Sequence, residues 1–145
     1  MLVHATTVLL DGAGVLLRGA PGSGKSDLAL RLIDGGAALV SDDQTELVRD
    51  GDRLLARAPK AIAGRMEVRG LGIVEVRHAP AAPVVLAVDL VRPEAVERLP
   101  AGRTVDLLGL AIPLLSLAPF EASAPAKLRL AVVSQLHKAA IIPAP

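Results

Sequence analysis

Runs of apolar residues along the chain predict its first elements. Apolar stretches at Val3 to Leu10 and Val15 to Arg18 flank the turn residues Asp11 to Gly14, which predicts a β-hairpin. Asp27 to Asp34 carries its apolar residues on one helical face, and Gly35-Gly36 follows as a helix end. The chain therefore opens with a hairpin that leads into a helix.

A further strand is predicted after this helix, at Ala38 to Ser41. Strand, helix and strand form a βαβ unit with a right-handed crossover, so the two strands should be parallel and either adjacent or separated by one inserted strand. Ligands bind at the carboxyl ends of the strands in such sheets. The pair Asp42-Asp43 is predicted to lie at that end.

The remaining pattern predicts further strands followed by two helices. It predicts a hairpin of Thr45 to Arg49 and Arg53 to Arg57, strands on both sides of the glycines in Met66 to Val76, a central strand at Val84 to Asp89, and helices at Pro93 to Leu99 and Pro125 to Lys138. These elements predict an α/β protein with a mixed sheet. The length of 145 residues predicts a single domain, residues 1–145.

Composition excludes several classes of function. The formal net charge is only +1 and no long basic run occurs, so nucleic acid is not expected as a partner. The uncharged stretch Leu107 to Phe120 is broken by glycine and proline and is shorter than the roughly 18 residues of a membrane span. The start of the chain does not resemble a signal peptide, and no membrane association is expected. We therefore expect a cytoplasmic protein.

The hairpin ends in a segment that matches the phosphate-loop pattern G-x-x-x-x-G-K-[ST]. Its residues are Gly19, Ala20, Pro21, Gly22, Ser23, Gly24, Lys25 and Ser26, with Asp27 next in the helix. The glycines let backbone N–H groups face the phosphates, the lysine reaches the β and γ phosphates, and the serine hydroxyl binds Mg²⁺. We predict that this segment binds a nucleoside triphosphate with Mg²⁺.

Three acids are candidates for the rest of the chemistry. A strand end at Asp42-Asp43 can aim one carboxylate at the metal and its neighbour at an incoming hydroxyl, whereas the alternative is a simple turn cap. Spacing alone fits Glu67 equally well as a metal ligand and as a solvated strand residue. No Asn-Lys-x-Asp segment occurs, which argues against a guanine-specific switch. A small kinase is favoured.

Several segments together resemble the catalytic domain of the HPr kinase/phosphorylase family. They are His4, the phosphate loop, Leu39 to Asp43, and Glu67 to Ile73, which matches the family signature. The resemblance covers about residues 3 to 90. It implies a phosphate-loop fold related to phosphoenolpyruvate carboxykinase, ATP and Mg²⁺ as cofactors, and phosphorylation of a serine of HPr, a phosphocarrier protein of the sugar phosphotransferase system. It also implies a homo-oligomer.

The same resemblance implies a role for each matching residue. Asp43 becomes the general base and a further metal ligand, supported by Asp42, while Ser26 and Glu67 bind Mg²⁺. Further catalytic residues are then His4 near the phosphates, Lys25 on the phosphates, and Arg69 in the signature loop near the acceptor.

Two departures from the family change the expectation. Leu115 stands where the family has an arginine tied to catalysis and to the reverse, phosphorylase reaction, so that reaction is expected to be weak or absent. Lys127 and Arg129 are the nearest bases that could substitute. The terminal helix used in hexamer contacts is rewritten, so a hexamer is not predicted. The alternatives are a nucleotide-sensing module without transfer and a small-metabolite kinase.

Overall fold

A computed structural model describes residues 1–137, which contain eleven strands and two helices. The strands are β1 (Leu2–Val3), β2 (Ala5–Leu10), β3 (Ala13–Arg18), β4 (Ala38–Ser41), β5 (Thr45–Asp50), β6 (Arg53–Arg57), β7 (Arg65–Val68), β8 (Gly72–Glu75), β9 (Ala82–Leu90), β10 (Arg103–Leu107) and β11 (Leu110–Leu117), and the helices are α1 (Lys25–Asp34) and α2 (Ala124–His137). Neither helix within these residues has the length and apolar character that a bilayer crossing requires.

The predicted opening hairpin and βαβ unit are both present. Strand β2 pairs antiparallel with β3, from Ala5–Arg18 to Leu10–Ala13. The other edge of β2 pairs antiparallel with β4, so β2 is the single strand inserted between the two parallel strands of the βαβ unit. The phosphate loop and the end of β4 consequently reach the same edge of the sheet.

Strand β9 is the centre of the main sheet, as its apolar run predicted. It pairs in parallel with β3 on one edge. On its other edge, its first residues pair antiparallel with β6 and its last residues pair in parallel with β11. Both faces of the sheet are covered by apolar clusters, one of them packed against α1 and α2. This burial fixes the strand ends that carry the polar residues.

Strands β7 and β8 form a separate two-stranded sheet, which we call the arm (Arg65–Glu75). Met66 anchors it in the main core and is only 2% exposed. Leu71 and Ile73 are instead 78% and 73% exposed. The arm is thus buried at its base and presents apolar side chains at its tip.

Two sequence predictions of secondary structure were wrong. The helix predicted at Pro93 to Leu99 is only a 3₁₀ turn at Pro93–Ala95, because Leu99 is 66% exposed and the segment has no buried face to stabilise a helix. The strand predicted from Val3 to Leu10 is interrupted at His4, since Val3 pairs with β5 while Ala5 pairs with β3.

The carboxyl-terminal third of the chain also differs from the secondary structure predicted from the sequence. Strands β10 and β11 were not predicted, because Gly109 and Pro113 interrupt the apolar pattern there. Pro113 pairs with Thr104 one residue before β11 begins to pair with β9, so its missing N–H is not needed in that ladder. Helix α2 confirms the last predicted helix, except for Lys138, which lies outside the described residues.

Candidate active site

The phosphate loop lies between β3 and α1, and its glycines adopt the backbone that the motif requires. Gly22 has φ 80° and Gly24 has φ 102°, values that a residue with a side chain adopts only at a cost. Gly24 caps the first turn of α1, so the helix begins at Lys25. The loop therefore leads straight into a helix N-terminus, which favours bound anions.

Lys25 is folded onto its own loop. Its side chain belongs to a residue only 6% exposed, and Nζ donates hydrogen bonds to the carbonyl oxygens of Gly19 at 2.7 Å and Ala20 at 3.2 Å. A buried ammonium group needs such acceptors because water no longer solvates it fully. Phosphate oxygens are charged acceptors that can replace these carbonyl oxygens.

Asp42 is held by the protein on both of its carboxylate oxygens. Oδ1 accepts hydrogen bonds from the Ser26 hydroxyl at 2.7 Å and from the Thr6 hydroxyl at 3.2 Å. Oδ2 accepts a longer hydrogen bond from the backbone N–H of Glu67 at 3.4 Å. Asp42 thereby links the phosphate loop, β2 and the arm, and its carboxylate has a fixed orientation.

The carboxylate of Asp43, unlike that of Asp42, is not held by hydrogen bonds from the described residues. Asp43 is exposed, and within residues 1–137 no group donates a hydrogen bond to its carboxylate. Its φ is 61°, and the N–H of Gln44 donates to the carbonyl oxygen of Asp42 at 2.7 Å. A γ-turn is a three-residue turn in which the N–H of the third residue donates to the carbonyl oxygen of the first. When the central residue has a positive φ, as Asp43 has, the turn is of the strained type. The chain thus presents a free carboxylate from a strained turn.

The loop, the acids and the arm line one cleft of about 740 Å³. Of the residues predicted for the site, those that line it are Pro21, Gly22, Gly24, Lys25, Ser26, Asp27, Asp42, Asp43, Glu67 and Arg69. The fold therefore brings together a loop suited to phosphates, two cations and four acids.

His4 is the predicted catalytic residue that does not line this cleft. It is exposed at the bend between β1 and β2, one residue before the Ala5–Arg18 pair. Gly19, Ala20 and Ser23 are likewise not among the lining residues, although they belong to the loop. The side chain of Ser23 instead faces the backbone of Gly19.

The hydroxyl and carboxylate oxygens of the cleft fit Mg²⁺, which prefers oxygen ligands. Water and phosphate usually supply several of its ligands, and the protein supplies the others. Ser26 and Asp42 are already in contact, and Glu67 lies on the same cleft. Among the described residues, no three acids, histidines or cysteines are arranged so that they could hold a metal ion by themselves. Asp42, rather than the predicted ligand Asp43, is the acid that contacts Ser26.

Sequence reasoning missed three features of this region. Thr6 contacts both acids but carries no local signal, because its partners lie 36 and 37 residues away. Arg18 and Asp89 form an ion pair at 2.8 Å where parallel strands β3 and β9 end beside the loop, so Asp89 is engaged elsewhere than in the cleft. Phe120 lines the cleft, and a Cβ on Gly24 would lie 2.9 Å from its ring.

The mixed sheet, the hairpin into a glycine-rich loop and the acid-lined cleft define a class, the α/β proteins built around a phosphate-loop motif. The family model of the HPr Serine kinase C-terminal domain matches residues 1–118. The chain belongs to this family. The match extends past residue 90, where the resemblance of the sequence motifs ended, and takes in the unpredicted strands β10 and β11.

Individual relatives agree with this assignment. The chain is 45% identical over 75 residues to an HPr kinase/phosphorylase of Exiguobacterium sp. strain AT1b, a stretch that is 51% of this chain and 24% of the relative. It is 40% identical over 121 residues to the HPr kinase/phosphorylase of Burkholderia lata, 76% of this chain and 38% of the relative. The matched stretch is thus well under half of these relatives' length.

A solved structure extends the likeness to the fold. The Hpr(Ser) kinase/phosphatase from Coxiella burnetii superposes with a TM-score of 0.85 at 29% identity, covering 95% of this chain and 97% of that one. The predicted fold class, a mixed α/β sheet of the HPr kinase type, is confirmed.

Proposed function

We propose that this chain is a Mg²⁺-dependent serine kinase that uses ATP as the donor and an HPr-like phosphocarrier protein as the acceptor. The observation that carries the proposal is the shared cleft, in which Lys25, Ser26 and Asp43 meet. The names of the relatives supply the acceptor. We further propose that residues 1–145 act as one catalytic unit in the cytoplasm and that copies of the chain associate, as the family resemblance implies.

The donor is held by the phosphate loop. Backbone N–H groups of the loop, apart from Pro21, which has none, and the positive end of the α1 dipole attract the phosphate oxygens. Lys25 exchanges its two loop carbonyl acceptors for β and γ phosphate oxygens. Asp27, in the first turn of α1 next to Ser26, completes the loop side of the cleft.

Ser26, Asp42 and Glu67 are the residues we assign to the metal, and Asp43 is the further acid within the same cleft. A bound Mg²⁺ neutralises phosphate charge and orients the transferring group. Asp42 is suited to such a place because three hydrogen bonds already fix its carboxylate. Fixed ligands need little reorganisation when charge develops in the transition state.

Asp43 is the proposed general base. Its free carboxylate accepts the proton of the acceptor serine hydroxyl as that oxygen bonds to the γ-phosphorus. The bond between this phosphorus and the β–γ bridging oxygen breaks, and ADP leaves with the electron pair. Arg69 on the arm and His4 beside the strand end are assigned to the acceptor side and to the phosphates, respectively.

The reverse reaction is proposed to be weak or absent, because Leu115 brings no cation to the site. Its side chain packs against the main core, and its backbone pairs with Val88. Lys127 pairs with Glu121 at 3.8 Å, and the Arg129 guanidinium lies against Gly35. Neither base is among the residues that line the cleft, so neither replaces the family arginine there.

The experiment that tests the function separates binding from transfer. Asp43→Asn removes the base but leaves the loop, so we expect transfer from labelled ATP to the host's HPr-like protein to fall by at least about 100-fold. Nucleotide affinity should stay within about 3-fold, because Asp43 contributes no contact to the loop. Asp52→Asn, an exposed acid in the β5–β6 turn, is the matched control and should behave as the wild type. Equal transfer by wild type and Asp43→Asn would exclude the proposed base.

Leu115 also favours one alternative, a nucleotide-sensing module that binds a partner but transfers nothing. Such a module predicts nucleotide-dependent partner binding without phosphoserine in the partner. A kinase for a small metabolite remains the other alternative and predicts turnover with a metabolite panel alone. Phosphoserine in an HPr-like protein, detected by mass spectrometry, excludes the first and disfavours the second.

A further inference from the structure

Thr6 is a fully buried residue of β2 with two polar partners, and both are acids of the cleft. Its Oγ1 accepts a hydrogen bond from the backbone N–H of Asp43 at 3.0 Å. The same hydroxyl donates to Oδ1 of Asp42 at 3.2 Å. A hydroxyl has one proton to donate and lone pairs to accept, so one oxygen satisfies both acids at once.

This contact lies where the backbone ladder ends. The β2–β4 pairing runs to Thr7–Ser41, and its register shifts between Thr7 and Val8. After Ser41 the chain turns out of the sheet, and the N–H of Asp43 finds no strand carbonyl. The side chain of Thr6 takes the place of the missing backbone acceptor.

The turn that Thr6 holds is strained. Asp43 has φ 61° at the centre of a γ-turn, a conformation that costs on the order of 1–3 kcal/mol and persists only where its surroundings enforce it. The hydroxyl of Ser41 donates to the carbonyl oxygen of Gln44 and closes the turn from the other side. Thr6 joins this turn to the neighbouring buried strand β2.

We propose that Thr6 is a positioning residue that holds Asp43 in the strained turn and sets the direction of its carboxylate toward the acceptor. The inference rests on the proposed function, because it assigns a support to the proposed base. Thr6 itself exchanges no proton with the substrate and contacts no phosphate. Its hydroxyl acts only through Asp42 and Asp43.

Three substitutions isolate the hydroxyl. Thr6→Val keeps the shape but removes both hydrogen bonds, and Thr6→Ser keeps the hydroxyl. Thr7→Val is the matched control, because Thr7 is also fully buried on β2 and bonds Thr45 at 2.8 Å without contacting either acid. Thr6→Val and Thr7→Val should therefore lose similar stability, while only the first affects the site.

We expect Thr6→Val to lower kcat for transfer to the HPr-like protein by about 10- to 100-fold, since a displacement of about 1 Å can cost that much. The Kd for ATP should change by less than about 3-fold, because Thr6 does not contact the loop. Thr6→Ser should recover most of kcat, and Thr7→Val should keep it. Equal losses of kcat in Thr6→Val and Thr7→Val, or no recovery in Thr6→Ser, would overturn the proposal.

Amide hydrogen exchange separates this inference from the proposed function. The Asp43 amide should exchange at least about 10-fold faster in Thr6→Val than in Thr7→Val, because it has lost its acceptor. If the wild-type protein transfers no phosphate but this difference appears, the proposed function fails while Thr6 still holds the turn. If the exchange rates are equal, the positioning role fails whatever the activity.

Discussion

The segment Ala5–Asp43, which we call the loop unit, and the arm line the same cleft but are held in different ways. In the loop unit the strands flanking the phosphate loop are almost entirely buried, and Lys25 and Asp42 are tied by hydrogen bonds. The arm is a two-stranded sheet whose tip residues Leu71 and Ile73 are mostly exposed. Under the proposed function, the hydrogen-bonded loop unit would hold the donor, and the exposed arm would be accessible to an acceptor.

The largest expected effect compares how much the loop unit and the arm contribute to the free energy of unfolding. Leu17→Ala creates a cavity at a residue that is 0% exposed and should lower the free energy of unfolding by about 2–5 kcal/mol. Ile73→Ala, at a residue 73% exposed, should change it by less than about 0.5 kcal/mol. Urea unfolding followed by circular dichroism measures both. Similar losses would mean that the arm is as integral to the core as β3.

A second effect concerns the donor. Lys25→Ala removes the ammonium group and should weaken ATP binding by roughly 10- to 100-fold, as the loss of charged hydrogen bonds predicts. Lys60→Ala, an exposed lysine in a turn outside the cleft, should bind as the wild type does. Calorimetric titration with ATP and Mg²⁺ makes the comparison. Unchanged affinity in Lys25→Ala would remove the loop unit from donor binding.

A smaller effect concerns the arm. Arg69 is exposed on the cleft, so Arg69→Ala should raise KM for the protein acceptor by about 5-fold, equivalent to about 1 kcal/mol, and leave the Kd for ATP unchanged. Arg65→Ala changes an exposed arginine of the same sheet that does not line the cleft. Steady-state kinetics with varied acceptor should separate the two. A rise in the Kd for ATP instead would place Arg69 on the donor side.

The smallest effect lies outside both regions. A hydrogen bond from Arg57 lowers the pKa of Glu46 below its ordinary value of 4.5, so Glu46 stabilises the fold above that pH and ceases to do so as acid protonates it. Glu46→Gln should therefore melt slightly below the wild type at pH 7, and this difference should shrink as the pH falls below 4.5. Thermal melts over this pH range check this. A difference that grows in acid would contradict the sign.

The sequence predicted the elements of the loop unit well, because each is indicated by residues that lie close together in the chain. Turn residues, a helical face and a glycine end define the segments up to Ser41 within a few residues each, and strand Ala38–Ser41 is found as predicted. The helix at Pro93 to Leu99 failed because its apolar residues find no partner, and nothing local reveals that. Strand β11 was missed because a proline argues against a strand, and the sequence does not reveal that Pro113 lies just before the ladder with β9 begins.

The cleft could be predicted only in part, because some of its contacts join residues that are far apart in the sequence. Lys25, Ser26 and the acid pair stand in recognisable motifs, and the fold brings them together. The sequence does not show which of the two adjacent aspartates is held by hydrogen bonds and which has a free carboxylate. That difference depends on Thr6 and on the N–H of Glu67, whose contacts with Asp42 span 36 and 25 residues.

The central claim is that the cleft transfers phosphate to a serine by way of Asp43. The most direct measurement is the intact mass of an HPr-like protein after incubation with ATP, Mg²⁺ and either the wild-type chain or Asp43→Asn, followed by mapping of the modified residue. We predict one added phosphate on a serine with the wild type and almost none with Asp43→Asn. An unmodified acceptor in both reactions, with ATP bound normally, would contradict the claim.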